Sequence, residues 1–313
     1  MRKLDDILIS GQNLCKYYRE PALDNVSFEV RKGNIFGLVG KNGAGKTTLI
    51  RIAAGQVLAA SGELSLFGEH RPGGLERARH RMGCMIETPS FFPYLTAEEN
   101  LECYRIQRGI QDKGCVKQAL QQVGLVAVGR KKFKEFSLGM KQRLGLALAI
   151  LGKPELLLLD EPINGLDPMG IVEFREILLK LNREQGVTIL ISSHILSELS
   201  SLATHYGFLE KGRLLEQVSA QEIQNRCRDC LVVRVMDTDM AAAALEQIKI
   251  RDFEVLPEGV IRIYSHLDRP QDISETIVKS GAALVGMETK TASLEDYFLQ
   301  LIGGAQNAEL SEK

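Results

Sequence analysis

Short apolar runs separated by polar turns recur along the first two thirds of the chain. Ile7-Leu8-Ile9 and Val26-Ser27-Phe28-Glu29-Val30 predict two strands around a turn containing Pro21. Ile35-Phe36-Gly37-Leu38-Val39 is apolar throughout, the pattern of a strand covered on both faces. Gly62–Leu66 and Met82–Ile86 predict further strands, and residues 96–151 carry helical spacing. Within that stretch Thr96-Ala97-Glu98-Glu99 matches a capping box, which starts a helix. Leu156–Leu159 predicts a strand entered from Pro154, and Pro168–Arg183 a helix with proline in its first turn. Val187–Ile191 is a buried, largely β-branched strand. Strands that alternate with helices in this way predict an α/β fold on a parallel sheet with both faces covered.

From about residue 225 the order changes. Leu231–Val235, a helical Met240–Ile248, Phe253–Leu256, Val260–Tyr264, a helical Gln271–Lys279 and Ala283–Met287 follow in turn. That β-α-β-β-α-β order is the ferredoxin-like pattern. A last helix is predicted over Ser293–Ile302. Two domains are therefore expected, 1–224 and 225–313, the second a small α+β accessory without chemistry-bearing motifs.

Composition narrows the class. The 313 residues are 44% hydrophobic and 25% charged, an ordinary globular balance. No apolar run approaches the roughly 18 residues that a membrane span needs. Met1-Arg2-Lys3-Leu4-Asp5-Asp6 contains no apolar signal region, so secretion is not expected. A formal net charge of −1 lacks the electrostatic footprint of a nucleic-acid binder, and no nucleic-acid partner is expected. The basic runs Arg77–Arg81 and Arg130–Lys134 read as solvated faces. Six cysteines without a secretory signal indicate reduced thiols. Cys227-Arg228-Asp229-Cys230 has C-x-x-C spacing but lacks the further ligands of a zinc site.

Chemistry enters at Gly40-Lys41-Asn42-Gly43-Ala44-Gly45-Lys46-Thr47, a complete phosphate-binding loop. It lies between the 35–39 strand and a helix-like run that opens at Thr48, the context the motif requires. Gly40, Gly43 and Gly45 let consecutive N–H groups turn toward one anion. Asn42, Ala44 and Thr48 complete the expected nucleotide contacts. Lys46 is expected to reach the β- and γ-phosphates and the Thr47 hydroxyl to hold Mg²⁺. Asp160 and Glu161 end the leucine strand beside those phosphates. There Asp160 is expected to bind Mg²⁺, and Glu161 to accept a proton from the attacking water.

Phe136-Ser137-Leu138-Gly139-Met140-Lys141-Gln142-Arg143, ahead of that acidic pair, resembles the signature of ATP-binding-cassette (ABC) ATPases, usually Leu-Ser-Gly-Gly-Gln. Ser137 and Gly139 match, while Leu138 and Met140 depart. The resemblance covers about residues 5–220 and implies a P-loop NTPase fold, with a mixed-sheet core and a helical subdomain at about 96–151. It places Tyr18, with Tyr17 as the alternative, where an aromatic stacks on adenine. Asn164-Gly165-Leu166-Asp167 looks like the loop that bridges subunits, and Asp167 is expected at the nucleotide. His194, three residues past the strand end expected at Ile191, looks like the switch histidine on the γ-phosphate. ATP and Mg²⁺ are the implied cofactors. The implied assembly is an ATP-dependent homodimer docked on a membrane permease at the cytoplasmic face.

Glu87 stands where the family has glutamine on the loop after the Met82–Ile86 strand. As an oxygen ligand it is an expected Mg²⁺ contact. A glutamate here resembles the bacitracin and lantibiotic self-protection exporters, and Ser293–Phe298 resembles the end of drug-export ATPases. Phe91-Phe92-Pro93-Tyr94 is the expected docking groove for a permease helix, with core packing as the competing reading. The ATPase of another ABC-2-type exporter, or of an importer with a regulatory C-terminal domain, is the alternative. A chromosome-type ATPase is disfavoured because no long coiled coil separates loop and signature. Ribosome-acting members usually carry two cassettes, and this chain has one.

Overall fold

The computed structural model describes residues 6–87, 90–226, 229–290, 294, 297–299 and 301. Apolar runs without alternation need cover on both faces, and β3 (Ile35–Val39) and β7 (Thr188–Ser193) have it at every position. They pair in parallel within a six-stranded sheet ordered β5-β6-β7-β3-β8-β9. Its other members are β5 (Met82–Met85), β6 (Leu156–Asp160), β8 (His205–Glu210) and β9 (Arg213–Ser219). All pairings are parallel except β8–β9, an antiparallel hairpin closed at Lys211-Gly212. The sheet is therefore mixed, as the family resemblance implied, with one antiparallel edge strand beside the parallel strands read from the apolar runs. Phe36, Leu38, Leu158 and Leu190 form its buried centre with Leu49 and Ile50 of α1 (Lys46–Ala54).

A second, antiparallel sheet runs in the order β2-β1-β4. Here β1 spans Ile7–Tyr17, β2 Pro21–Arg31 and β4 Ser61–Leu66. β1 is longer than its three-residue apolar core because register shifts carry it through a polar stretch. Gly11 sits where a Cβ would come within 2.5 Å of the Leu14 side chain and 2.7 Å of Phe28. α2 (Pro72–Arg79) leads into β5. The run Arg77–Arg81 is not wholly a solvated face, because the backbone draws two of its guanidiniums onto fixed partners. Arg81 grips Glu155 through two hydrogen bonds of 2.7 and 2.9 Å and lies 3.9 Å over the Phe67 ring. Arg79 Nε donates to the Ala53 carbonyl at 3.2 Å.

Between β5 and β6 the chain builds the helical insertion α3 (Ala97–Gln107), α4 (Gly114–Gln122) and α5 (Leu138–Ile150). The capping box forms: Thr96 Oγ1 accepts from Glu99 N–H at 3.2 Å, and Glu99 Oε2 accepts from Thr96 N–H at 2.7 Å. Asn100, fully buried, accepts from Phe92 N–H at 2.7 Å and donates to the carbonyls of Phe92 at 3.1 Å and Thr96 at 2.9 Å. This pins the loop that precedes α3. Phe91 packs on Phe133 and Tyr104, with ring centroids 5.1 and 5.8 Å away. It is thus core, while Phe92, Pro93 and Tyr94 of the expected docking groove face solvent. α6 (Pro168–Gln185) and α7 (Leu196–Ser200) complete this part.

Two compact units follow one another along the chain, the first up to Ala220 and the second from Gln221, at the start of α8 (Ala220–Arg226). The second unit contains β10 (Cys230–Val235), α9 (Thr238–Gln247), β11 (Phe253–Leu256), β12 (Val260–Ile263), α10 (Pro270–Lys279) and β13 (Leu284–Lys290). Its strands are all antiparallel in the order β11-β12-β10-β13, over a core of Leu231, Val233, Leu245, Ile261, Ile263 and Ile277. Cys230 is buried in β10; Cys227 and half of the expected last helix, Ser293 included, lie outside the described residues, while Leu294, residues 297–299 and Leu301 are helical. Among the described residues no helix is long and apolar enough to cross a membrane.

Asn100→Ala removes all three of its hydrogen bonds and strands the Phe92 amide. It should cost about 2 kcal/mol. Thermal unfolding should then show a Tm lower by roughly 4–8 °C.

Candidate active site

The P-loop fits its backbone so closely that side chains are excluded at two turns. A Cβ on Gly40 would meet the Leu209 carbonyl oxygen at 2.3 Å, and one on Gly45, at φ +109°, the Ala22 carbonyl oxygen at 2.4 Å. Gly43 is also left-handed and exposed, next to exposed Asn42; Ala44 is buried and donates to the Lys41 carbonyl. α1 then starts with no side-chain cap and no acidic residue in its first turn. Its first N–H groups, near Thr47 and Thr48, are left to an anion, and the helix dipole favours one there. This is the cradle that the phosphates of a nucleotide require.

Lys46 is 5% exposed. Its Nζ is 2.6 Å from the Gly40 carbonyl, 3.1 Å from that of Lys41 and 3.2 Å from Glu161 Oε1. Glu161 follows β6 with φ +47°, which turns its carboxylate toward the loop. Its Oε2 lies 2.5 Å from His194 Nδ1. One residue earlier, Asp160 accepts from Thr47 Oγ1 and from Ser192 Oγ, each at 2.7 Å. Ser192 Oγ in turn accepts from Glu161 N–H at 2.9 Å. Lys46, Thr47, Asp160, Glu161 and His194 therefore form one connected group. β7 runs to Ser193, so His194 follows its strand directly and not three residues later, because the serines continue the ladder past Ile191.

Thr47 and Asp160 supply a hydroxyl and a carboxylate in contact, the hard oxygen donors that suit Mg²⁺. Among the described residues no group of three His, Cys, Asp or Glu side chains makes a closed cation cage. A cation here would complete its shell from phosphates and water. Glu87 is not drawn into that pair by any contact. It has φ +62°, is largely exposed, and forms an ion pair with Arg51 of α1. Tyr18, just past β1, is 58% exposed beneath the Lys16 ammonium, and Tyr17 is similarly open.

The signature residues sit elsewhere. Ser137 caps α5, its Oγ accepting from Met140 N–H at 3.3 Å, and Asp167 caps α6 by accepting from Gly170 N–H at 3.0 Å. Ser137, Gly139, Gly165 and Asp167 line a groove of about 450 Å³ whose walls include no P-loop residue. The signature groove and the P-loop group are thus two separate sets of residues on one chain. Ser192 and Arg51 escaped the sequence reading. The available signal for Ser192 was a hydroxyl at the end of an otherwise apolar strand.

Residues 23–164 match the family described as ABC transporter. The chain is also 41% identical over 299 residues to the bacitracin transport ATP-binding protein BcrA of Bacillus licheniformis, covering 95% of this chain and 98% of that protein. It belongs to the ABC transporter ATP-binding proteins. The lantibiotic transport ATP-binding protein SrtF of Streptococcus pyogenes is 41% identical over 209 residues, 66% of this chain and 89% of its own. A dimeric, post-hydrolysis ATP-binding cassette bound to ADP and Pi superposes with a TM-score of 0.61 at 23% identity, covering 68% of this chain and 98% of that one; this likeness concerns the fold. As an ABC ATPase the protein binds ATP with Mg²⁺ and hydrolyses it. Bound Mg·ATP supplies the scissile phosphoanhydride and the cation that offsets its charge. For its part, the chain would hold the phosphates with Lys46 and the cation with Thr47 and Asp160, and the Glu161 carboxylate would be placed to take a water proton.

Glu161→Gln keeps size and hydrogen bonding but removes the proton acceptor. Phosphate release should slow about 10²–10⁴-fold, while a fluorescent ATP analogue should still bind. A wild-type hydrolysis rate would remove Glu161 from the base role.

Proposed function

We propose that the protein is the ATPase subunit of an exporter for a peptide antibiotic of the bacitracin or lantibiotic class, acting on a separate membrane permease. The likeness to a bacitracin transport protein along nearly the whole of both chains carries this reading. Glu87, in place of the usual glutamine, supports it. The permease would hold the protein at the cytoplasmic face of the membrane. Exposed Phe92 and Tyr94 are its docking surface, on a loop fixed by Asn100. Glu87 lies at the start of the same connection and is tied to α1 through Arg51, so movement of that loop reaches the P-loop helix.

The separation of the signature groove from the P-loop group supports a homodimer as the working unit. Each Mg·ATP would be held by Lys46, Thr47, Asp160 and Tyr18 of one subunit and by Ser137, Gly139 and Asp167 of the other. His194 would contact the γ-phosphate while holding Glu161.

Because Glu161→Gln slows turnover, it should trap this state: a dimer with Mg·ATP and a monomer without, by size-exclusion chromatography with light scattering. Adding Ser137→Arg should return the protein to monomer, with ATP still bound. A dimer formed without ATP, or one indifferent to Ser137→Arg, would exclude a composite site.

Co-expression with a bacitracin or lantibiotic exporter permease should raise the bacitracin or lantibiotic concentration a sensitive host tolerates. Glu161→Gln should abolish the gain, and Glu87→Gln should lower it with ATP binding intact. Unchanged tolerance to both antibiotic classes would overturn the substrate assignment.

A further inference from the structure

The switch histidine sits on a short turn that needs its own support. His194 lies between β7, which ends at Ser193, and α7, whose N-cap is Ile195. Ser193 is 2% exposed. Its Oγ accepts from Ile195 N–H at 3.0 Å, which closes the turn around His194. The same Oγ lies 2.8 Å from Glu198 Oε2 and 3.2 Å from the Ile195 carbonyl oxygen. A hydroxyl has one proton to give. The carboxylate is the nearer and charged acceptor, so it takes that proton. The serine oxygen is thereby oriented with its lone pairs toward Ile195 N–H.

The base that carries Glu198 is fixed. Leu196 and Leu199 of α7 are buried, and the Tyr206 hydroxyl donates to the Leu199 carbonyl at 3.3 Å. Leu199 packs so tightly on β3 that a Cβ at Gly37 would approach it to 3.1 Å. The carboxylate is therefore referenced to the strand that leads into the P-loop. Burial raises the Glu198 carboxyl above its usual range, and the Ser193 hydrogen bond opposes that shift. The proximity of His194 acts in the same sense as Ser193, and that of Glu161 in the opposite sense.

We infer that Glu198 is a positioning residue for ATP hydrolysis: through Ser193 it holds the turn 193–195, and with it the His194 imidazole against Glu161. No chemistry occurs at Glu198 itself. Its effect reaches the reaction through the 2.5 Å His194–Glu161 contact. The inference rests on the assignment of His194 and Glu161 to the reacting end of the nucleotide.

Steady-state hydrolysis, ATP binding and thermal unfolding of the full chain test it. Glu198→Ala should lower kcat on the order of 10-fold through misplacement of His194, with KM for ATP and Tm close to wild type. Glu198→Gln retains an oxygen that accepts the Ser193 proton and should recover most of the rate. Ser193→Ala should match Glu198→Ala, and the double variant should be no slower than either single one, because both act on one turn. Wild-type kcat in Glu198→Ala, additive losses in the double variant, or a glutamine variant as slow as alanine would each overturn the inference. His194→Ala separates the two levels. Full activity there removes the assignment of His194 itself; loss there beside full activity in Glu198→Ala removes only the role of Glu198.

Discussion

A buried ammonium is the constraint around which this site is organised. Lys46 has almost no contact with water, and an unpaired charge there would cost several kcal/mol. Two loop carbonyls and the Glu161 carboxylate meet it. The carbonyls can converge only because the loop turns at glycines that leave no room for a Cβ. The carboxylate arrives only because the chain leaves β6 in a left-handed conformation. His194 then takes the second oxygen of Glu161, and Ser192 holds both the Glu161 amide and the neighbouring Asp160. Phosphate oxygens bound in the cradle would substitute for Glu161 at Lys46, so nucleotide arrival would free that carboxylate.

Much of this was legible in the sequence, for a physical reason. Strands buried on both faces must be apolar throughout, so 35–39 and 156–159 identified themselves, and the glycines and acids at their ends marked the loop and the metal side. Thr96-Ala97-Glu98-Glu99 was equally readable, because a capping box is satisfied by residues three apart. Readings failed where long-range pairing decides. The polar half of β1 is a strand only because β2 and β4 flank it. Ser192 and Ser193 extend β7 because β3 and β6 continue beside them, so His194 lies nearer its strand than composition indicated. Phe91 looked like its neighbours Phe92 and Tyr94, and only the rings of Phe133 and Tyr104 distinguish it as core. Arg81 read as a surface charge until Glu155, seventy-four residues away, came within reach.

The signature side follows different physics. Ser137 and Asp167 both use their side chains as helix caps. Capping fixes the rotamers of both residues, so this face is arranged by its own helices. Leu138 stands in the signature where the family has glycine, and it packs against Gly165, whose added Cβ would lie 3.1 Å from it. The departure from consensus thus joins the signature helix to the loop that ends at Asp167, a link that glycine could not make.

The left-handed backbone at Glu161 has a consequence for how this protein tolerates change. A glutamate held at φ +47° works against its own conformational preference, typically by about 1–3 kcal/mol. Glycine at that position would relieve the strain, but it would also leave the buried Lys46 ammonium without the carboxylate that answers it. Selection for heat resistance alone therefore gains little by discarding this glutamate, because the strained backbone and the paired charge come and go together. Strain and charge pairing are opposed at this one residue.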